Sequence, residues 1–261
     1  MTEMTNDAVL AVSNLLQVQT LPTVLGIGPQ QDSIADWAAA QQAALAGLRD
    51  SGVIDEYDDV DSDLTDALRI LAHPERELAA RIYTEFETRR FCLARNGTRH
   101  AVAVRTGDLI EIRMVWADEG PAVARPVLDL LGPCTPAEIT GFSAVSAELR
   151  ERLDQASDAT DYAQIAYSYG LDDRQAIDFG LTLSSCHAHA EIVAYAHEGG
   201  VTTRAPGAVA VYDTARGRLC AGPATAGDQQ TLSTFAPGSD HRIAQSICAM
   251  IESLPGGRWM P

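Results

Sequence analysis

The chain has 261 residues, 19 basic against 36 acidic side chains and a formal net charge of −17, and every one of those 19 positive charges is an arginine. The absence of lysine excludes Schiff-base catalysis, a pyridoxal anchor and the phosphate-gripping lysines of Walker-type and kinase sites. A charge this negative repels nucleic acid and anionic lipid, so neither is an expected partner, while 46% hydrophobic residues suffice for a sizeable core.

No stretch reaches the apolar length that spans a bilayer, so no membrane insertion is expected. The acidic start Met1-Thr2-Glu3-Met4 lacks the basic region of a secretory signal, and a cytoplasmic location is expected. The five cysteines, Cys92, Cys134, Cys186, Cys220 and Cys248, are scattered without a C-x-x-C pair and fit reduced thiols.

In chain order, Thr5-Asn6-Asp7 offers N-cap oxygens to a helix with Val9, Val12, Leu15 and Leu16 on its apolar side, ending before Leu21-Pro22. Asp32-Ser33 opens a second helix that ends at Gly52. After the acidic stretch Asp55–Asp66, with Ser62 or Asp63 as the cap, a short helix runs to His73-Pro74. The period then changes to two. Strands are expected over 79–86, 91–95, 100–105 and 109–116, with turns at Asn96-Gly97 and Gly107-Asp108. In the last of them Ile110, Ile112, Met114 and Trp116 share one face and Glu111 and Arg113 the other. Helices follow over 119–131, 143–156, 160–169 and 172–183. A second strand block covers 187–195, 207–213, 216–221 and 231–235, and Pro237-Gly238-Ser239 opens a closing helix. The class is α+β, and the halves, approximately 1–132 and 133–261, read as one pattern used twice about a pseudo-twofold axis. Their sheets are expected to join into a central antiparallel sheet within a single domain over 1–261.

Candidate chemistry is thin. Cys186-His187-Ala188-His189 places two imidazoles on one strand face, a metal-like arrangement, but no further ligands have recognised spacing. The run Asp58–Asp63 fails the calcium-loop pattern, with Leu64 where glycine is needed and Ile70 where a bidentate glutamate is needed. Ser239-Asp240-His241 is consecutive at a helix start and cannot form a relay. Gly26-Ile27-Gly28 lacks the third glycine of a dinucleotide fingerprint. No cofactor, no metal and no catalytic residue is therefore expected, and a protein-binding module is favoured over an enzyme built on His187 and His189.

The order of short motifs adds a family reading. Leu21-Pro22 with Leu25-Gly26-Ile27, Leu71–Leu78, Arg95–His100, Ala190-Glu191-Ile192-Val193, Asp213-Thr214 with Gly217-Arg218, Phe235–Gly238 and Leu254–Trp259 together resemble the EspG family. These are cytosolic chaperones of mycobacterial and related type VII (ESX) secretion, and the N-terminal motif and strand block look most like the branch serving the first-named ESX system. The resemblance implies a central antiparallel sheet flanked by N- and C-terminal helical bundles. It also implies a partner, the PPE subunit of a PE–PPE heterodimer, bound at its apolar helical tip, kept soluble and delivered to the secretion machinery. The residues themselves suggest three contact segments: the turn Asn96, Gly97, Thr98 and Arg99, the sheet-face pair Glu111 and Arg113, and the late loop Asp228, Gln229 and Gln230. Weak self-association through a sheet edge is a further expectation.

Overall fold

The computed structural model describes residues 2–117, 120–225 and 230–261. Among these are eight α-helices and eleven strands, and all the strands belong to one antiparallel sheet. The strands are β1 (Thr2–Thr5), β2 (Arg76–Tyr83), β3 (Thr88–Asn96), β4 (Arg99–Thr106), β5 (Leu109–Val115), β6 (Phe142–Val145), β7 (Cys186–Glu198), β8 (Val201–Arg204), β9 (Val209–Thr214), β10 (Gly217–Thr225) and β11 (Thr231–Pro237). Their order across the sheet is β1-β5-β4-β3-β2-β7-β9-β10-β11-β6, with β8 pairing β7. On each side of the β2–β7 junction a meander runs outward, and a strand from before that meander closes the edge.

The helices are α1 (Asn6–Leu15), α2 (Ile34–Asp50), α3 (Ser62–Ala72), α4 (Pro121–Leu131), α5 (Ser146–Gln155), α6 (Ala159–Ser168), α7 (Asp173–Ser184) and α8 (Asp240–Glu252). Side-chain caps start most of them. Thr5, Ser33, Asp158, Asp172 and Ser239 accept from first-turn amides of α1, α2, α6, α7 and α8, each satisfying a donor that has no partner within the helix.

Strand alternation sends side chains to two differently covered faces. One face carries α4 and α8. There Leu78, Ala80 and Ile82 of β2, Ile192 and Ala194 of β7 and Val211 of β9 pack under Val123, Val127, Ile243, Ile247 and Met250. The other face carries two separate bundles. α1–α3 cover β3, β4 and β5 through Cys92, Ala101, Ile110 and Ile112, and α5–α7 cover β10, β11 and β6 through Leu219, Phe235 and Phe142. Between the bundles the central strands β2 and β7 are left open.

The helices and meanders lie largely where the sequence places them, but β2 runs over Arg76–Tyr83 and not 79–86, β8 is not among the expected strands, and four smaller differences follow. The edge strands β1 and β6 carry no four-residue signal of their own, and pairing with β5 and β11 makes them strands, so Ser143 begins no helix and α5 starts at Ser146. Asp61, not Ser62 or Asp63, caps α3, accepting from the Leu64 amide at 2.9 Å. Trp116 lies beyond the end of β5 and is 75% exposed, leaving Ile110, Ile112 and Met114 on the inward face. α4 begins at Pro121, and Glu119 lies outside the described residues.

Candidate functional site

The open strip between the bundles is a groove of about 460 Å³. Its floor is set by the β2–β7 register, which opposes Glu77 to Tyr195, Ala79 to Val193, Arg81 to Glu191 and Tyr83 to His189. Thr23 and Val24, from a 3₁₀ turn over Thr23–Leu25, form one wall, and Thr202 and Arg204 of β8 form the other. The middle of the floor is small and apolar, at Ala79 and Val193, while its ends differ. At one end His197 Nε2 meets Glu77 Oε2 at 3.1 Å and its Nδ1 meets Thr202 Oγ1, also at 3.1 Å. At the other, Tyr83 and His189 stack with ring centroids 4.7 Å apart, and Tyr212 continues the stack at 6.4 Å from His189. Just beyond Tyr83, the β2–β3 turn carries Phe86, 89% exposed.

Electrostatically the groove is mixed. Arg105 of β4, Arg90 of β3 and Arg81 of β2 are directly opposed across neighbouring strands, and the row ends at Glu191. Arg105 Nη1 donates to the carbonyls of Leu25 (3.1 Å) and Gly26 (2.5 Å), and Arg90 Nη1 to that of Val24 (3.2 Å). Beside the floor, under the α1–α3 bundle, burial pushes the Cys92 thiol well above its ordinary value, with the Glu77 carboxylate adding to the shift. That thiol stays protonated and takes no part as a nucleophile.

The residues expected from sequence lie in three separate places. Asn96 and Arg99 flank the β3–β4 turn, where Gly97 has φ +56°, and both face α3: Asn96 Nδ2 donates to His73 O at 2.6 Å and Arg99 pairs with Asp66. The hydrogen bond from Arg99 holds the Asp66 carboxyl below its usual value. Glu111 and Arg113 pair with each other at 3.1 Å on the sheet face opposite the groove, the face of Val102. Gln230 is exposed beside the start of β11, and Asp228 and Gln229 lie outside the described residues. A register shift between Cys186 and Ala188, a bulge, interrupts the pairing at His187, which is exposed, while His189 joins the aromatic stack. Among the described residues no group of three or more His, Cys, Asp or Glu is placed to hold a metal.

Sequence reasoning passed over Glu77, Arg81, Glu191, Tyr195 and Arg204. Their signal was present. Charges alternating with apolar residues in two strands that occupy the middle of a sheet mark a face that no helix covers.

The structure thus defines a class: an antiparallel sheet with paired helical bundles that leave an open, charged and aromatic groove, a scaffold for docking. The EspG family model matches residues 5–249. The ESX-1 secretion-associated protein EspG1 of Mycobacterium tuberculosis strain H37Rv is 29% identical over 99% of this chain and 89% of its own length. The ESX-3 secretion-associated protein EspG3 of Mycolicibacterium smegmatis is 24% identical over 99% and 89%. The solved structure of the M. tuberculosis type VII secretion system chaperone EspG5 in complex with a PE25–PPE41 dimer superposes with a TM-score of 0.82 at 17% identity, covering 99% of this chain and 98% of that one. The chain belongs to the EspG family.

Proposed function

We propose that this protein is a cytoplasmic, non-enzymatic secretion chaperone that binds the helical tip of the PPE subunit of a PE–PPE heterodimer, keeps the pair soluble and directs it to a type VII secretion system. The observation that carries this reading is the uncovered central groove, lined by three register pairs of β2 and β7 and bordered by the Tyr83–His189 stack. An exposed apolar tip aggregates, and a recess with a small apolar floor and a polar rim covers it at little cost in desolvated charge. Among the described residues no helix is long and apolar enough to cross a membrane.

In this reading the Asn96–Arg99 turn is an outer contact. It lies at the end of the sheet where Glu77 and His197 close the groove, on the neighbouring hairpin. A single EspG-like domain of two fused repeats, 1–132 and 133–261, is the organisation that accompanies it. Its support is the matching strand order on either side of β2 and β7, which puts the groove on the join between repeats. The four-residue edges β1 and β6 offer little length for pairing with a second copy.

The test is co-expression of the chain with each PE–PPE pair of the source genome, scored by co-purification. One pair is expected to be retained, and Val193→Arg, which puts a charge on the apolar floor, is expected to release it while melting as the unmodified protein does. Retention of no pair, or equal retention by Val193→Arg, overturns the assignment.

A further inference from the structure

Resting on that docking groove, we infer that the arginine row on its floor receives a carboxylate carried by the helical tip of the partner, with Arg81 as the contacting residue. Three arginines in directly opposed positions are unexpected here, because the chain has nearly twice as many acids as bases and like charges facing each other across strands weaken a sheet. Two of the three have an internal purpose. Arg105 and Arg90 hold the carbonyls of Val24, Leu25 and Gly26, the negative end of the 3₁₀ turn that walls the groove. Arg81 makes no hydrogen bond or ion pair with any described residue, and it is exposed within the groove. Arg204, across the groove on β8, is likewise exposed and makes none.

The row therefore gives this part of the floor a local positive field in an acidic protein, and its last arginine, Arg81, set beside Glu191, presents a guanidinium that is unpaired among the described residues. That fork matches a carboxylate in two parallel hydrogen bonds. The groove also contains Glu77 and Glu191, which would repel a doubly charged phosphate approaching Arg81. A singly charged carboxylate meets less of that repulsion, and Glu191 remains available to a base on the same tip. Ala79 and Val193 keep the middle of the floor apolar and uncharged, so the occupant is an apolar helical tip bearing an aspartate or glutamate.

The experiment measures binding of the purified full chain to the PE–PPE pair that it retains on co-expression, at low and at high salt. Arg81→Gln, which keeps most of the side-chain stem, is expected to bind about tenfold to a hundredfold more weakly at low salt, the loss of a charge-assisted pair. The gap between it and the unmodified protein should narrow as salt rises. Arg81→Gln also relieves a like-charge contact with Arg90, so its melting temperature should equal or exceed that of the parent; Arg81→Ala serves as a second variant with the stem removed. If the parent retains a pair and both variants bind it equally well, the carboxylate receptor is refuted while the docking groove stands. If the parent retains no pair, the docking reading itself fails and the inference falls with it.

Discussion

Arg218 is the most demanding single residue of the fold, because its side chain is fully buried and wholly polar at its end. Its Nε and Nη2 donate to the two carboxylate oxygens of Asp213 at 2.5 and 2.9 Å, Nη1 donates to Gly132 O at 3.0 Å, and Nη2 also reaches Leu131 O at 3.3 Å. One guanidinium thus ties the end of α4 to β9 and β10. Arg218→Met keeps most of the volume but leaves Asp213 without its cation and two carbonyls without donors. Breaking a buried pair from one side costs about 3–5 kcal/mol. Asp213 is 20% exposed and keeps some access to water, which favours the lower end, about 3 kcal/mol. In a chain of this size that lowers the melting temperature by about 6 °C or more. Thermal melts of the parent, Arg218→Met, Asp213→Leu and the double variant would separate loss of the pair from loss of packing. The double variant should recover part of the deficit, since no unpaired charge remains. A single variant that melts with the parent, or a double variant whose deficit is the sum of the two singles, would refute the account.

Three further outcomes follow from local geometry. A Cβ on Gly180 would lie 2.2 Å from Ala159 O and 2.9 Å from Ala163 N, so Gly180→Ala should force α6 and α7 apart. Overpacking of about 1–3 kcal/mol then exceeds the helix-propensity gain of about 1 kcal/mol, and faster amide exchange confined to α6 and α7 would report it. Burial pushes the Tyr212 phenol from 10.0 up to about 12. The folded state therefore favours the neutral phenol. Its contribution is complete below the unfolded value near 10 and is lost as pH rises from there through about 12, so Tyr212→Phe should flatten the alkaline fall in urea-unfolding stability. Arg99→Glu breaks a solvent-screened surface pair with Asp66 and should leave the melting temperature nearly unchanged; in a pull-down it should weaken capture less than Val193→Arg does, and undiminished capture would remove the turn from the interface.

Much of this architecture was legible because local signals agreed with it. Caps at Thr5, Ser33 and Ser239, the shift to a period of two near Leu78 and the turns at Gly97 and Gly107 fix the helices and meanders without knowledge of the whole. What stayed hidden was decided between paired segments. β1 and β6 are strands because β5 and β11 offer them partners, and the irregularity at His187 shows only in the pairing of β7 with β9. The groove was hidden for the same reason. Arg81, Arg90 and Arg105 sit on one local meander, but the groove needs β2 beside β7, and only that long-range register sets Arg81 against Glu191. Arg99, by contrast, looked available because it sits on a turn, and α3 supplies Asp66 to meet it.

The same register also gives the groove a direction. The Tyr83–His189–Tyr212 stack forms one end, the Glu77–His197 pair with Thr202 forms the other, and Arg81 faces Glu191 next to the aromatic end. A helical tip that lays apolar side chains on the aromatic rings brings an adjacent acid to Arg81 and its polar flank to His197. Turned end for end, the same tip would press apolar surface against Glu77 and leave its acid among the rings, and each misplacement desolvates a charge without compensation. Shape alone would discriminate weakly between related helical tips, because removing or adding one methylene changes little. Misplaced charge discriminates more sharply. With the proposed docking, the fixed polarity of the floor, set by which residues of β2 and β7 face each other, would let one scaffold reject the wrong cargo as well as hold the right one.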